Sequence, residues 1–255
     1  MMKNILLAVD IGNSNITAGI FKGKALAGKI KIPTCSYSSY IRRIRSLIKG
    51  ASLDVDGPGR IIISSVVPLA LARFIVEMRR MSPHISIVIL GKDKVVPIKN
   101  LYRVKKEVGQ DRLVNAYAAK SLYGAPAVVI DLGTAITFDI ISAKGDYLGG
   151  LIMPGIELSL CSLYRSTALL PKVELKDSPS IIGTDTVNSM RAGILFGFGA
   201  MIDGLVSRYR KMLGRRTRVI ATGGNAGLIK KYARSIGAVD EDLTLKGLYL
   251  SSKFC

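Results

Sequence analysis

Short apolar runs separated by polar turns open the chain. Their spacing predicts strands over about residues 4–10, 14–22 and 25–32, with Phe21-Lys22-Gly23-Lys24 as a hairpin turn. The period then changes. Ile41, Ile44, Leu47 and Ile48 recur at helical spacing, which predicts a helix from Tyr37 to Lys49. The turn Asp56-Gly57-Pro58-Gly59 leads into a predicted strand at 60–65. Pro68 suits the first turn of a helix running to about Met81, and a strand follows at 85–90. From Gly91 to Val108 the chain is polar and lysine-rich, contains Pro97, and reads as a loop.

A helix beginning near Gln110 carries Leu113, Tyr117 and Leu122, and then the order repeats. Strands are predicted at about 126–131, 134–142 and 146–153, with Ala143-Lys144-Gly145-Asp146 as the turn. Helices are predicted near 156–164 and 186–213, then a strand at 218–222 and a helix after Gly223-Gly224. The repetition extends to a motif. Leu6-Leu7-Ala8-Val9-Asp10-Ile11-Gly12 and Val128-Val129-Ile130-Asp131-Leu132-Gly133 share one pattern, at the offset that also separates Gly28 from Gly149. An α/β protein of two duplicated domains follows, divided as 1–115 and 116–255, with mixed β-sheets and a cleft between the domains.

Each repeat ends an apolar strand in Asp-x-Gly and turns straight back. Gly lets a backbone approach a phosphate, and hydroxyls and free N–H groups can donate to it. One such turn is also explained by local Asp and Asn hydrogen bonds; the second copy weighs towards a phosphate grip. Ala221-Thr222-Gly223-Gly224-Asn225 is a third glycine element, where a nucleotide or an ordinary strand-to-helix turn fits equally. Gly109-Gln110-Asp111-Arg112 places a carboxylate beside an arginine at a helix start. That pair is either a cap with a surface ion pair, or a general base with an anion clamp. Gly193 and Gly197, one turn apart, predict close helix–helix packing, within the chain or against another subunit.

Composition narrows the picture. Hydrophobic residues are 49% of the 255, which excludes a disordered chain. The apolar stretch Ala192–Ile202 stops at Asp203, so no segment is expected to span a membrane. Cys35, Cys161 and Cys255 are far apart and His84 is the single histidine, so neither a disulfide framework nor a zinc site is expected, and the compartment reads as cytoplasmic. The net charge of +19 is spread along the chain in small clusters such as Arg215-Arg216-Thr217-Arg218. Solvated helix faces explain it, while attraction to polyanions remains open.

The series Asp10-Ile-Gly-Asn-Ser-Asn, Val108-Gly-Gln-Asp-Arg, Asp131-Leu-Gly-Thr-Ala, Gly149-Gly-Leu-Ile-Met-Pro-Gly, Gly183-Thr-Asp-Thr and Ala221-Thr-Gly-Gly resembles the type III pantothenate kinases. The likeness runs from about Leu7 to Leu248. These belong to the acetate and sugar kinase/Hsp70/actin superfamily, so it implies two ribonuclease H-like (actin-like ATPase) domains. It also implies ATP-dependent phosphorylation of pantothenate, the first step of coenzyme A synthesis, by a homodimer that needs Mg²⁺ and a monovalent cation, K⁺ or NH₄⁺.

Residue by residue, the resemblance puts Asp10, Ile11, Gly12, Asn13, Ser14, Asn15, Ile16 and Thr17 on the ATP phosphates, with Asp10 also towards Mg²⁺. Asp131 holds the monovalent cation and Thr134 contacts ATP. Asp111 is the proton acceptor. Tyr102, Gly109, Gln110, Asp111, Arg112 and Thr186 form the pantothenate pocket, with Thr186 near the dimer interface. Gln110 stands where the family usually has a small residue. Nucleic-acid binding is not expected; the alternative is a kinase-like transcriptional accessory factor of the same family.

Overall fold

The computed structural model describes residues 5–36, 39–51, 59–178 and 180–254. Tyr37, Cys255 and the Asp56-Gly57-Pro58 part of the expected turn lie outside them.

Strand β1 (Ile5–Ile11) buries Leu6 to Val9 and Ile11, so its apolar run is continuous rather than alternating, as a central strand requires. It pairs antiparallel with β2 (Asn15–Lys22), which pairs with β3 (Ala25–Pro33), and parallel with β4 (Arg60–Ser65). β5 (Ser86–Ile89) completes the order β3-β2-β1-β4-β5. β3 alternates along its length and exposes Lys29 and Lys31, a charged edge that discourages pairing with another chain. One face of this sheet is covered by α1 (Tyr40–Gly50) through Tyr40, Ile44, Leu47 and Ile48, and by α2 (Pro68–Met81) through Ala70, Phe74 and Met78.

Helix α3 (Gln110–Tyr123) leads into the second sheet, in which β6 (Ala127–Leu132), β7 (Ala135–Ile141), β8 (Tyr147–Pro154), β9 (Arg218–Thr222) and β10 (Ala238–Val239) run in the order β10-β9-β6-β7-β8. This is the first sheet's order again, with the same parallel and antiparallel pairings. Even the irregularity recurs: the register shifts between Ile20 and Phe21 on β2 and between Ile140 and Ile141 on β7. α4 (Ile156–Ser166) and α5 (Thr186–Leu213) bury Ile156, Leu195, Ile202 and Val206 against this sheet. Each fully buried side chain of this size contributes about 1.5–3 kcal/mol.

The second half is followed by elements that the pattern did not predict. β10 is only two residues long. α7 (Leu243–Ser252) packs on β1 and β4 of the first sheet. Gly247 admits it against α3, since a β-carbon there would stand 2.5 Å from the Val114 carbonyl oxygen. The chain therefore divides into interleaved compact units. The first comprises the described residues of Met1–Ile98, Val104–Ala118 and Leu243–Cys255, the second Lys99–Arg103 and Ala119–Asp242.

β-carbons built on Gly193 or Gly197 would meet nothing within 4 Å, so these glycines do not mark a close helix contact within the described residues. The close approach is at Gly199, where a β-carbon would stand 2.3 Å from the carbonyl oxygen of Tyr232. α5 is also long and apolar enough to cross a membrane, contrary to the expectation that no segment is, because the helix continues through Asp203. That is weak evidence of a span. Asp203 accepts the backbone N–H groups of Arg234 (3.1 Å) and Ser235 (2.8 Å), and the inner face of α5 belongs to a core.

Candidate active site

In the first unit β1 ends at Ile11, and Gly12, Asn13 and Ser14 turn the chain back into β2. The Gly12 N–H donates to the Asn15 carbonyl at 3.0 Å, and Thr34 ties the turn down through its hydroxyl to the Gly12 carbonyl (2.7 Å) and its N–H to the Ser14 carbonyl (2.9 Å). Asn13 and Ser14 are exposed, while Ile11 and Ile16 are fully buried. Within the predicted phosphate loop, Ile11 and Ile16 can therefore offer only backbone groups, and the polar side chains come from the turn. Asp10 pairs in register with Thr17 on one side and Ser64 on the other.

The same unit brings the predicted base to this end of the sheet. Ile11 accepts the Val66 N–H at 3.1 Å, and Gly109 lies against Val66, its β-carbon position 3.5 Å from Val66 Cγ1. A β-carbon on Gly109 would stand 2.4 Å from Asp111 Oδ1, so only glycine leaves the carboxylate where it is. Asp111 sits in the first turn of α3 and accepts the Arg112 N–H at 2.9 Å. Burial raises its pKa above the ordinary carboxylate value. The Arg112 amide and guanidinium oppose the shift without cancelling it. Arg112 is itself buried, at 7% exposure. The Gln110 side chain lies over Gly91, whose φ of +83° only glycine adopts freely; a β-carbon there would be 2.6 Å from Gln110 Cδ.

In the second unit the corresponding hairpin is one residue shorter, with only Gly133 and Thr134 between β6 and β7. Asp131 is opposite Thr137 and Thr222. The Thr134 carbonyl accepts the Gly155 N–H at 3.0 Å, and the Leu132 carbonyl accepts the Asn225 N–H at 3.3 Å. The Thr-Gly-Gly element therefore closes on the Asp131 turn. The helix after it, α6 (Ala226–Ile229), is a single turn. Tyr102 belongs to this unit, with its ring against Gly149, whose φ is +121°. Thr186 is exposed at the start of α5, behind Asp185, which accepts the Asn188 N–H and thereby caps the helix.

Asp139, which no sequence motif marks, is fully buried on β7 and accepts the Tyr147 hydroxyl at 2.9 Å and the Thr137 hydroxyl at 3.1 Å. In Thr137-Phe-Asp139 it had the alternation of an outward polar position, so no signal distinguished it. A hollow of about 490 Å³ at the end of α5, lined by Asp203, Ser207, Arg210, Lys211, Gly214 and Arg215, holds part of the scattered basic charge.

Twin five-stranded mixed sheets of one order, each with an Asp-x-Gly hairpin on its first strand, define the actin-like ATPase fold. Component A of (R)-2-hydroxyglutaryl-CoA dehydratase from Acidaminococcus fermentans shares this fold at a TM-score of 0.56, with 13% identity over 98% of this chain and 97% of that one. So does a conserved Campylobacter jejuni protein described as a Baf-family transcriptional activator, at a TM-score of 0.62 and 20% identity, covering 97% of this chain and 98% of that one. At these identities both show fold alone.

The family model of type III pantothenate kinase matches residues 6–208. Type III pantothenate kinases of Anaeromyxobacter dehalogenans (strain 2CP-C) and Halalkalibacterium halodurans are 42% and 38% identical to the chain, covering 96% and 98% of it and 97% and 99% of their own lengths. The chain belongs to the type III pantothenate kinase family. Its activity is the ATP-dependent phosphorylation of pantothenate that begins coenzyme A synthesis, and nothing favours the regulator reading.

Proposed function

We propose that Asp111 accepts the proton of pantothenate's primary hydroxyl as the γ-phosphoryl group of ATP passes to that oxygen. The observation that carries this is a half-buried carboxylate held above its usual pKa by burial, beside the end of the sheet where the Asp10 hairpin turns. A base in that state is poised nearer neutrality than a solvated aspartate. The first unit supplies the loop Asp10 to Thr17 for the triphosphate, and Gly109 to Arg112 for the acid substrate. The family resemblance further assigns Thr134 to ATP, Tyr102 and Thr186 to pantothenate, and Asp131 to the cation. Phosphoryl transfer requires alignment and charge neutralisation rather than a covalent intermediate.

The donor sets fit the two cations. Among the described residues no group of three or more His, Cys, Asp or Glu side chains converges. Mg²⁺ on a nucleotide needs only one or two carboxylates, its other positions being filled by phosphate and water, and Asp10 would be the one supplied here. A monovalent cation takes oxygen ligands, which Asp131 supports with the backbone turn of Gly133 and Thr134 beside it. When bound, these ions neutralise phosphate charge.

The enzyme acts as a homodimer in the cytoplasm. Support for the dimer comes from large apolar side chains exposed in the second unit, among them Ile152 at 68%, Ile181 at 68% and Ile182 at 73%. Incubation with ATP and a panel of hydroxylated acids tests the whole reading. ADP release with pantothenate alone supports it, and preference for another acid overturns the substrate. A DNA or RNA mobility shift at physiological salt is expected to be negative.

A further inference from the structure

We propose that Asp139 and Tyr147 are a positioning pair that holds the segment 99–103, and with it Tyr102, for the acid substrate. The inference rests on the reading of Tyr102 as a pantothenate contact. Four links join the pair to that ring. The Tyr147 hydroxyl donates to Asp139 Oδ1 at 2.9 Å, and both residues are fully buried. The Tyr147 backbone pairs with the segment: its N–H donates to the Lys99 carbonyl and its carbonyl accepts the Leu101 N–H, both at 2.9 Å. Asn100 Oδ1 accepts the Tyr102 N–H at 2.9 Å. The Tyr102 ring then rests on Gly149, two residues beyond Tyr147, where a β-carbon would stand 3.2 Å from Cδ2.

The duplication supplies an internal control. In the second sheet Asp139 is opposite Val129 and Tyr147 is opposite Ile141. The corresponding register positions of the first sheet are Gly19, opposite Ala8, and Leu26, opposite Phe21. There a β-carbon on Gly19 would meet Leu26 Cδ1 at 2.8 Å and Leu245 Cδ1 at 2.8 Å, an apolar contact. The fold thus fills this place without a polar group. A buried carboxylate is costly unless hydrogen-bonded, so core filling does not explain its use in the second copy alone. What that copy has at this place is the attached segment 99–103, which clusters with the second unit although its neighbours on both sides belong to the first. The pair fixes the ring and rotation of Tyr147 so that its backbone presents a constant edge to Lys99 and Leu101.

The test compares Tyr147→Phe and Asp139→Asn with Tyr102→Ala and the wild type, by steady-state kinetics, thermal melting and amide exchange at Leu101. The expected result for both conservative variants is a rise of about tenfold in KM for pantothenate, with KM for ATP and kcat within about twofold. Leu101 should exchange faster in both. An unchanged pantothenate KM in both would overturn the proposal. So would a uniform loss in kcat and both KM values that tracks the fall in melting temperature, since that is what a merely structural role produces. A wild-type enzyme inactive on pantothenate would instead reject the functional reading. Should Tyr102→Ala leave pantothenate KM unchanged, the role of Tyr102 falls and this inference falls with it.

Discussion

The carboxylate of Asp131 lies so close to Gly223 that a β-carbon at 223 would stand 2.6 Å from Oδ1 and 2.7–2.8 Å from the Leu132 backbone. Gly223 also has φ +90°, a conformation that costs a residue with a β-carbon about 1–2 kcal/mol. Gly223→Ala should therefore lower the melting temperature and displace Asp131. Activation by the monovalent cation should weaken more than the affinity for pantothenate. Melting curves and potassium titrations of the rate check this; an alanine enzyme with the normal potassium response would detach Gly223 from the site.

Asp111→Asn should lose most of the transfer rate while melting no lower than the wild type. The side chain keeps its shape, and the removed charge was one that burial penalised. The loss is expected at about 10²–10⁴-fold, the usual range for a positioned base. A variant with near wild-type turnover would exclude Asp111 as the proton acceptor.

The same raised pKa fixes two opposite pH trends. Folding favours protonated Asp111, so its contribution to stability is fully present below the ordinary value of 3.8 and is lost as pH rises through the folded-state pKa. The rate runs the other way, because a protonated carboxyl accepts nothing. The acid limb of kcat/KM should lie above 3.8 and disappear from the residual activity of Asp111→Asn. An acid limb at or below 3.8 would contradict this.

In buffer containing sodium as its sole monovalent cation the enzyme should be slow, and potassium or ammonium should restore it. Equal rates in sodium and potassium would remove the cation role from Asp131. Asp131→Ala should abolish the difference between the salts without unfolding the second unit, as judged by circular dichroism.

Light scattering should give the mass of two chains. Ile182, exposed at 73% shortly before Thr186, is the position at which a charge should be least tolerated in a dimer and most tolerated in a monomer. Ile182→Asp should shift the protein towards one chain and raise KM for pantothenate if Thr186 acts at the interface. A dimer unchanged by Ile182→Asp would move the interface elsewhere.

The strands and helices that could be read from the chain are those with one wet side or one uninterrupted apolar run. β4, α2, α5 and β9 carry such patterns and begin and end where the pattern does. α7 could not be read this way: Leu243, Leu245, Gly247, Leu248, Ser251 and Ser252 are buried around much of its circumference, so no polar stripe marks its phase. The Asp-x-Gly turns were legible because chemistry leaves residues of low β-propensity at strand ends. Asp139 was not, since a buried carboxylate and an outward one look alike in an alternating strand. Gly109 was legible as part of a motif, but its steric reason, the approach of Asp111 Oδ1, exists only in three dimensions.

The return of α7 to β1 has a consequence for biogenesis. β1 and α7 belong to one compact unit, while residues 119–242 contain nearly all of the other. During synthesis the unit that carries Asp10 and Asp111 lacks α7 until Leu243–Ser252 has left the ribosome, so residues 119–242 can finish folding before it. A nascent chain paused before Leu243 would hold the unit of Asp131 complete while the unit of Asp10 stayed open to chaperones and proteases.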